Sequence, residues 1–361
     1  MATGTGYPAV MGAGKETTFR TGVNMTDRIP YLSESLSEQI QMIEDDVLIG
    51  TAGRNALNKG PISFTGKINT ETRYTQKSGS YFCGNDLLMA LAMGGTHTYA
   101  SSVNTLKLGE NIGQFATIAI DKQVAIWEFL SCYFGGFELS SKVGDYLHCD
   151  FDVVAYNLLR SGTENEAAQF TALAASGGKR VLFGDLTFRL GDTADALAVG
   201  DNIGLKDFKL SLKNNLSGPQ FSSLDNSATH TDALLTRQPL RNGFREVTLE
   251  FSLPRYESSG WGTQLETWKA ASTVLQFKGL SSIDSAAKRF ELNCPHVIIE
   301  DIQSPVTGPE VIETTVKCRL LRGAAVNNTV MLLIDGSTTV VEEFVIEAKN
   351  STDGRSAVVY S

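Results

Sequence analysis

The sequence predicts a mainly β fold built from two tandem domains, each with one short flanking α-helix. Three observations predict it. Residues 60–74 (GPISFTGKINTETRY) and 242–256 (NGFREVTLEFSLPRY) both alternate apolar and polar side chains, the period of a half-buried strand. Each is followed by a short helix-like run, DLLMALAMG at 86–94 and GTQLETWKAAS at 262–272. Each then closes on a similar strand end, NLLRSG at 157–162 and RLLRG at 319–323. A pattern met twice in the same order marks duplication, and 361 residues suit about two domains of ~150 each. The expected division is 1–165, a first β domain with an N-terminal arm, and 166–361, a second with a C-terminal extension.

Taken in order, residues 1–30 are rich in Gly, Thr and Ala without a period, and are expected to be an extended arm or loop. Residues 31–36 read as a strand, followed by an irregular acidic stretch and a loop over 49–59. In 60–74, Ile62, Phe64 and Ile68 share the apolar face, while Lys67, Asn69, Glu71 and Arg73 share the other. Gly66 falls on the apolar face and marks a bulge or a close contact. Asn85 or Asp86 caps the next helix, with Leu87, Leu88, Leu91 and Ala92 on its buried side. Strands are expected at 115–121, 124–134 and 147–159. The polar, small-residue stretch 161–180 is the candidate linker. A hairpin over 181–190 opens the second half, and Phe208, Leu210 and Leu212 alternate after it. Residues 214–237 read as an exposed loop. Val247, Leu249, Phe251 and Leu253 then alternate, and Leu265 and Trp268 share a helix face. Strands at 274–277, 290–293, 296–302 and 311–321 follow, with a last pair at 330–334 and 339–348. The first copy is longer, mostly over 96–114.

Composition narrows the function. At 42% hydrophobic and 20% charged, the chain is globular rather than disordered. Lys and Arg number 31 against 40 Asp and Glu, a net charge of −9. That balance argues against gripping nucleic acid, because affinity for phosphates rests on neutralising them. It does not exclude letting DNA pass. No secretory signal or membrane span is expected. Cys83, Cys132, Cys149, Cys294 and Cys318 are odd in number and scattered, as buried reduced thiols of a protein made in a cytoplasm would be.

No catalytic, cofactor-binding or metal-binding residue is nominated. GAGK at 12–15 lacks the leading Gly and the Ser or Thr after Lys15 that a phosphate loop requires, and a flexible loop is the better reading. His148 adjoins Cys149, and Cys294 precedes His296 by two, but neither spacing is that of a zinc site. Neighbours on a strand also point to opposite faces. His97 and His230 stand apart from these. No G-x-S-x-G elbow occurs, and Glu44, Asp45 and Asp46 read as a solvated loop.

The residues 49–74 (IGTAGRNALNKGPISFTGKINTETRY), with NDLLMALAMGG at 85–95, resemble the tail tube, or major tail, proteins of long non-contractile-tailed (siphovirus-like) phages. So do 134–156 (FGGFELSSKVGDYLHCDFDVVAY) and a proposed partner in the second half, KDFKLSLKNN with REVTLEFSLPRY. The resemblance covers roughly 48–162 and 204–323. It implies small β-sandwich or barrel domains and a structural virion protein, not an enzyme, that self-assembles into stacked rings around a channel for double-stranded DNA delivery. It implies no cofactor. It implies partnership with copies of itself and with tape measure, tail terminator and baseplate or distal tail proteins, without membrane contact. DNA would pass through the lumen unbound. With the domain present twice, three chains would supply a ring of pseudo-six-fold symmetry. Glu71, Glu246 and Glu250 are candidate lumen groups. The alternative is a decoration or baseplate protein with a host-binding role.

Overall fold

A computed structural model describes residues 6, 8–44, 57–74, 84–94, 97–100, 103–109, 113–160, 164–173, 179–193, 196–218, 221, 235–256, 260–283, 288–306, 308–322 and 331–335. The first half contains β1 (Val10–Lys15), β2 (Asp27–Ile29), β3 (Tyr31–Glu34), β4 (Ser37–Glu44), β5 (Leu57–Glu71), β6 (Arg73–Tyr74), α1 (Gly84–Met93), β7 (His97–Ala100), β8 (Val103–Lys107), β9 (Ala116–Asp121), β10 (Ile126–Lys142), β11 (His148–Ala155) and β12 (Asn157–Leu159). The remainder contains α2 (Ala167–Ala172), β13 (Lys179–Arg180), β14 (Leu186–Asp192), β15 (Asn202–Ile203), β16 (Asp207–Lys213), β17 (Glu246–Leu253), α3 (Trp261–Ala270), β18 (Leu275–Ile283), β19 (Lys288–Gln303), β20 (Thr314–Leu320) and β21 (Met331–Asp335).

One antiparallel path forms the backbone of the molecule, in the order β4–β5–β11–β10–β16–β17–β20–β19. Two long strands leave this path at their N-terminal ends. β10 pairs there with β9 and β12, and β19 with β18 and β21. Each carries an irregularity just past that exchange of partners, between Phe134 and Gly136 in β10, where β11 already pairs from Tyr133, and between Ile299 and Asp301 in β19, where β20 already pairs from Val297. An extra residue bends a strand, and each long strand has one set of partners along its N-terminal part and another along its C-terminal part. Beyond them, β9 pairs with β1 and β1 with β2, while β18 pairs with β14 and β14 with β15.

Alternation sets the core. On β11, Cys149, Phe151, Val153 and Ala155 are buried and Asp152 is exposed. Phe208, Leu210 and Leu212 of β16 and Val247, Leu249, Phe251 and Leu253 of β17 repeat the pattern. Phe251 stacks on Phe277 at 5.9 Å between ring centres, and Phe134 meets Phe151 edge-on at 5.9 Å. α1 is apolar all round and buried from Asn85 to Met93, as a helix without a wet face must be. It touches β10, β1, β2, β8 and β11. The Asn85 amide donates to the Glu71 carbonyl at 3.0 Å, which ties the helix start to the end of β5. α3 buries only Leu265 fully.

Gly66 marks the expected close contact. A Cβ there would lie 2.5 Å from the Ser35 carbonyl oxygen and 2.7 Å from Leu36 Cα. Both atoms are backbone and cannot swing aside. Gly66→Ala is expected to cost about 1–3 kcal/mol, read as a lower urea midpoint at unchanged slope.

Several expectations are corrected. Residues 10–15 form no arm or loop. They are β1, held between β2 and β9, with Met11 and Ala13 buried. Residues 37–44 are a strand. Strand β10 runs on to Lys142, and β7 and β8 occupy the insertion in the longer first half. The linker stretch is docked in part: Asn165 and Phe170 are buried, and the Asn165 side-chain oxygen accepts from the Met25 N–H at 2.8 Å. Residues 181–190 form no hairpin. Val181 hydrogen-bonds to Thr72 and Leu147, and β14 pairs with β15 and β18. Asn214, Leu235 and Thr236 at the ends of the expected exposed loop are buried. Residues 57–59, expected to end the loop 49–59, instead begin β5; the rest of that loop, the acidic Asp45 and Asp46, and the strand 339–348 lie outside the described residues. β21 pairs with β19 and β8.

Candidate functional site

Two margins of the main path pair on one side only among the described residues. The first is β3–β4, which pairs with β5. The second is the C-terminal part of β19, which pairs with β20. Backbone groups of an extended strand alternate between its two sides. The Ser35 N–H bonds to the Lys67 carbonyl at 3.0 Å, so Ser37 and Gln39 also turn their backbone groups toward β5 and Glu38 turns its own outward. The Leu321 N–H bonds to the His296 carbonyl at 2.9 Å. Continued through the irregularity, that alternation turns Ile302 outward. Side chains of the chain itself hold such outward N–H groups. The Ile302 N–H donates to Asp301 at 2.9 Å and the Leu36 N–H donates to Glu34 at 2.8 Å. Hydrogen bonds from Gln303 and Lys269 keep the Asp301 carboxyl below the ordinary carboxylate range.

Inside the chain the corresponding margin of β10 is occupied. Its C-terminal part pairs with β16 from Gly136↔Lys213 to Lys142↔Asp207. Gly136 permits this, because a Cβ there would fall 2.2 Å from the Leu212 carbonyl oxygen. Lys209 and Glu138 form an ion pair across the junction at 2.6 Å. The order β4–β5–β11–β10 is thus continued by β16–β17–β20–β19, and the Phe134/Gly136 irregularity has its counterpart at Ile299/Asp301. In this order the hairpin 134–156 and the pair β19–β20 each end a run of four strands.

The face of this path opposite the core is charged. Cross-strand pairs join Lys67 to Asp152 at 3.3 Å and Arg319 to Glu300 at 2.6 Å. Glu246 is exposed and Glu250 half-buried on β17. Asp150 has a carboxyl raised by burial and by neighbouring Glu138. Glu71 does not join this face. It is buried, accepts from Arg73, and pairs with Arg180 at 2.6 Å.

Other buried charges brace the fold. Glu16 accepts from Thr117 at 2.6 Å and from the Ser131 hydroxyl and N–H at 2.6 and 2.8 Å. Glu128 accepts from the Asn165 N–H at 2.5 Å. The sequence motifs weighed for chemistry are dispersed. GAGK lies in β1. His148 faces Asp145 at 3.3 Å, while Cys149 is buried. Cys83 and His230 lie outside the described residues. Among the described residues, no three His, Cys, Asp or Glu side chains group to hold a metal ion, and no helix is long and apolar enough to cross a membrane.

Burial pushes the thiols of Cys132 and Cys294 well up and that of Cys318 up to about 12. A raised thiol stays protonated and unreactive. Iodoacetamide at pH 8 is expected to leave these three unlabelled in the folded chain and to label them after denaturation, as read by peptide mass spectrometry.

The β4 margin escaped the sequence reading. Its side chains are mostly exposed on both faces, so no burial period marks it. Compared with known families, the chain matches a family model described as phage tail tube protein over residues 6–320. Comparison with the curated proteins gives no match.

Proposed function

The chain belongs to the phage tail tube protein family, and on that premise we propose that three copies close into a ring of pseudo-six-fold symmetry, each supplying two domains, 1–165 and 166–361. The chain is a structural component of the virion's tail tube and not an enzyme. The β10–β16 junction carries the proposal. Within one chain it joins the end of one four-strand run to the start of the next. The unmatched margins, β3–β4 and β19, are the start and end of the whole path. A head-to-tail contact that closes on itself makes a ring, and duplication turns half of those contacts into intrachain ones.

Stacked rings would enclose the channel, with the charged face of the path toward the lumen. Cross-strand ion pairs on that face leave fewer cations for phosphates, so DNA slides rather than binds. The resemblance seen in the sequence supports the tape measure, terminator and distal tail proteins as partners. It alone supports a long, non-contractile tail. Native mass spectrometry of isolated rings tests the stoichiometry. Three chains per ring is the expected mass, and six full chains would overturn it.

A further inference from the structure

We propose that β19 of one copy pairs antiparallel with β4 of the next, with Asp301 opposite Gln39, Ile302 opposite Glu38 and Gln303 opposite Ser37. The inference rests on the ring reading and adds the residues that close it.

The register follows from the strand partners. Asp152 is opposite Gly136, the first residue past the irregularity of β10, and Lys317 is opposite Asp301, the first past that of β19. Asp152 is also opposite Lys67, and Lys317 opposite Glu250. Lys67 and Glu250 are therefore equivalent, as are Thr65 and Thr248. Opposite these last two stand Ser37 on β4 and Ser211 on β16. Within the chain Ser211 pairs with Glu138, whose equivalent on β19 is Gln303. Gln303 thus falls opposite Ser37.

Two independent features agree with this register. Ser37, Gln39 and Gln303 are exposed, whereas Glu38, Asp301 and Ile302 are half-buried, so the Ser37–Gln303 and Glu38–Ile302 pairs each match in exposure. Glu38 and Ile302 both turn their backbone groups outward, so they can exchange both hydrogen bonds, as Phe137 and Leu212 do at the equivalent place. The Asp301 carboxylate that holds the Ile302 N–H in the single chain would yield it to the Glu38 carbonyl.

The Ser37–Gln303 pair would be a non-hydrogen-bonded one, with Cα atoms about 4.5 Å apart, within reach of a disulfide. The test is oxidation of full-length S37C/Q303C under conditions in which wild-type rings form. Most of the chain is expected to shift to reducible dimers and closed trimers. A mixture of the two single variants should stop at dimers, because each copy then carries only one of the two cysteines. S37C/I302C, out of phase by one residue, should give at least tenfold less. If S37C/Q303C does not assemble, Q39C/D301C reads the same register. Rings that form without cross-linking at either pair, or with I302C preferred, would overturn the register and leave the ring reading standing. Wild-type chain that stays monomeric at every concentration would overturn both.

Discussion

Glu38→Pro is expected to give a folded chain that no longer assembles. Proline removes one N–H, and at Glu38 that group turns away from β5. The ladder from β4 to β5 (Ser37↔Thr65, Gln39↔Ser63) keeps its bonds. The preceding residue must be extended, and Ser37 already lies in a strand. The surface ion pair from Arg160 to Glu38 at 2.6 Å is lost, which matters little at this exposure. The fold should lose about 1–2 kcal/mol, with an unchanged far-ultraviolet spectrum. The margin, however, loses a donor and gains a steric block, the device by which edge strands are kept from pairing. Sedimentation should show the shift from tubes or rings to single chains. Tubes of normal length formed by this variant would remove β4 from the assembly surface.

Lys278→Met is expected to produce the largest loss of stability. Lys278 on β18 and Glu291 on β19 form an ion pair at 3.0 Å with side chains 7% and 0% exposed. Removing one partner leaves a carboxylate deep in the sheet, at a cost of about 3–5 kcal/mol. Replacing both, as Lys278→Met with Glu291→Leu, removes the buried charge as well and should restore most of the loss. Urea unfolding of the two variants separates these outcomes. Equal losses in both would mean that the site depends on packing rather than charge.

Where a strand has one wet face and one buried face, its place was legible. β11, β16, β17 and β20 alternate because Phe151, Leu210, Phe251 and Val316 face the core while their neighbours face water. α1 was legible from Leu87, Leu88, Leu91 and Ala92. β1 was not, because its VMGAGK composition resembles a loop, yet small side chains suit a strand pressed between β2 and β9. α2 is six residues long and too short for a helical period to show.

The two sequence motifs do not share a burial register. Buried positions in β5 are even-numbered (Ile62, Phe64, Ile68) and those in β17 odd-numbered (Val247, Leu249, Phe251). The two motifs therefore cannot superpose end to end as written. Under the proposed matching Ala155 at the end of β11 stands where Leu320 ends β20, so the closing LLR runs would not coincide either. The assembly margins were the least legible part. A hydrophobic period tells which face of a strand is covered, but not what lies beside the strand.

A reconstruction of the assembled tube that resolves individual strands tests the central claim most directly. The account predicts that, going round one ring, the path from β4 to β19 recurs three times, with β19 of each chain beside β4 of the next. A ring of six chains, or a different element beside β4, would contradict it.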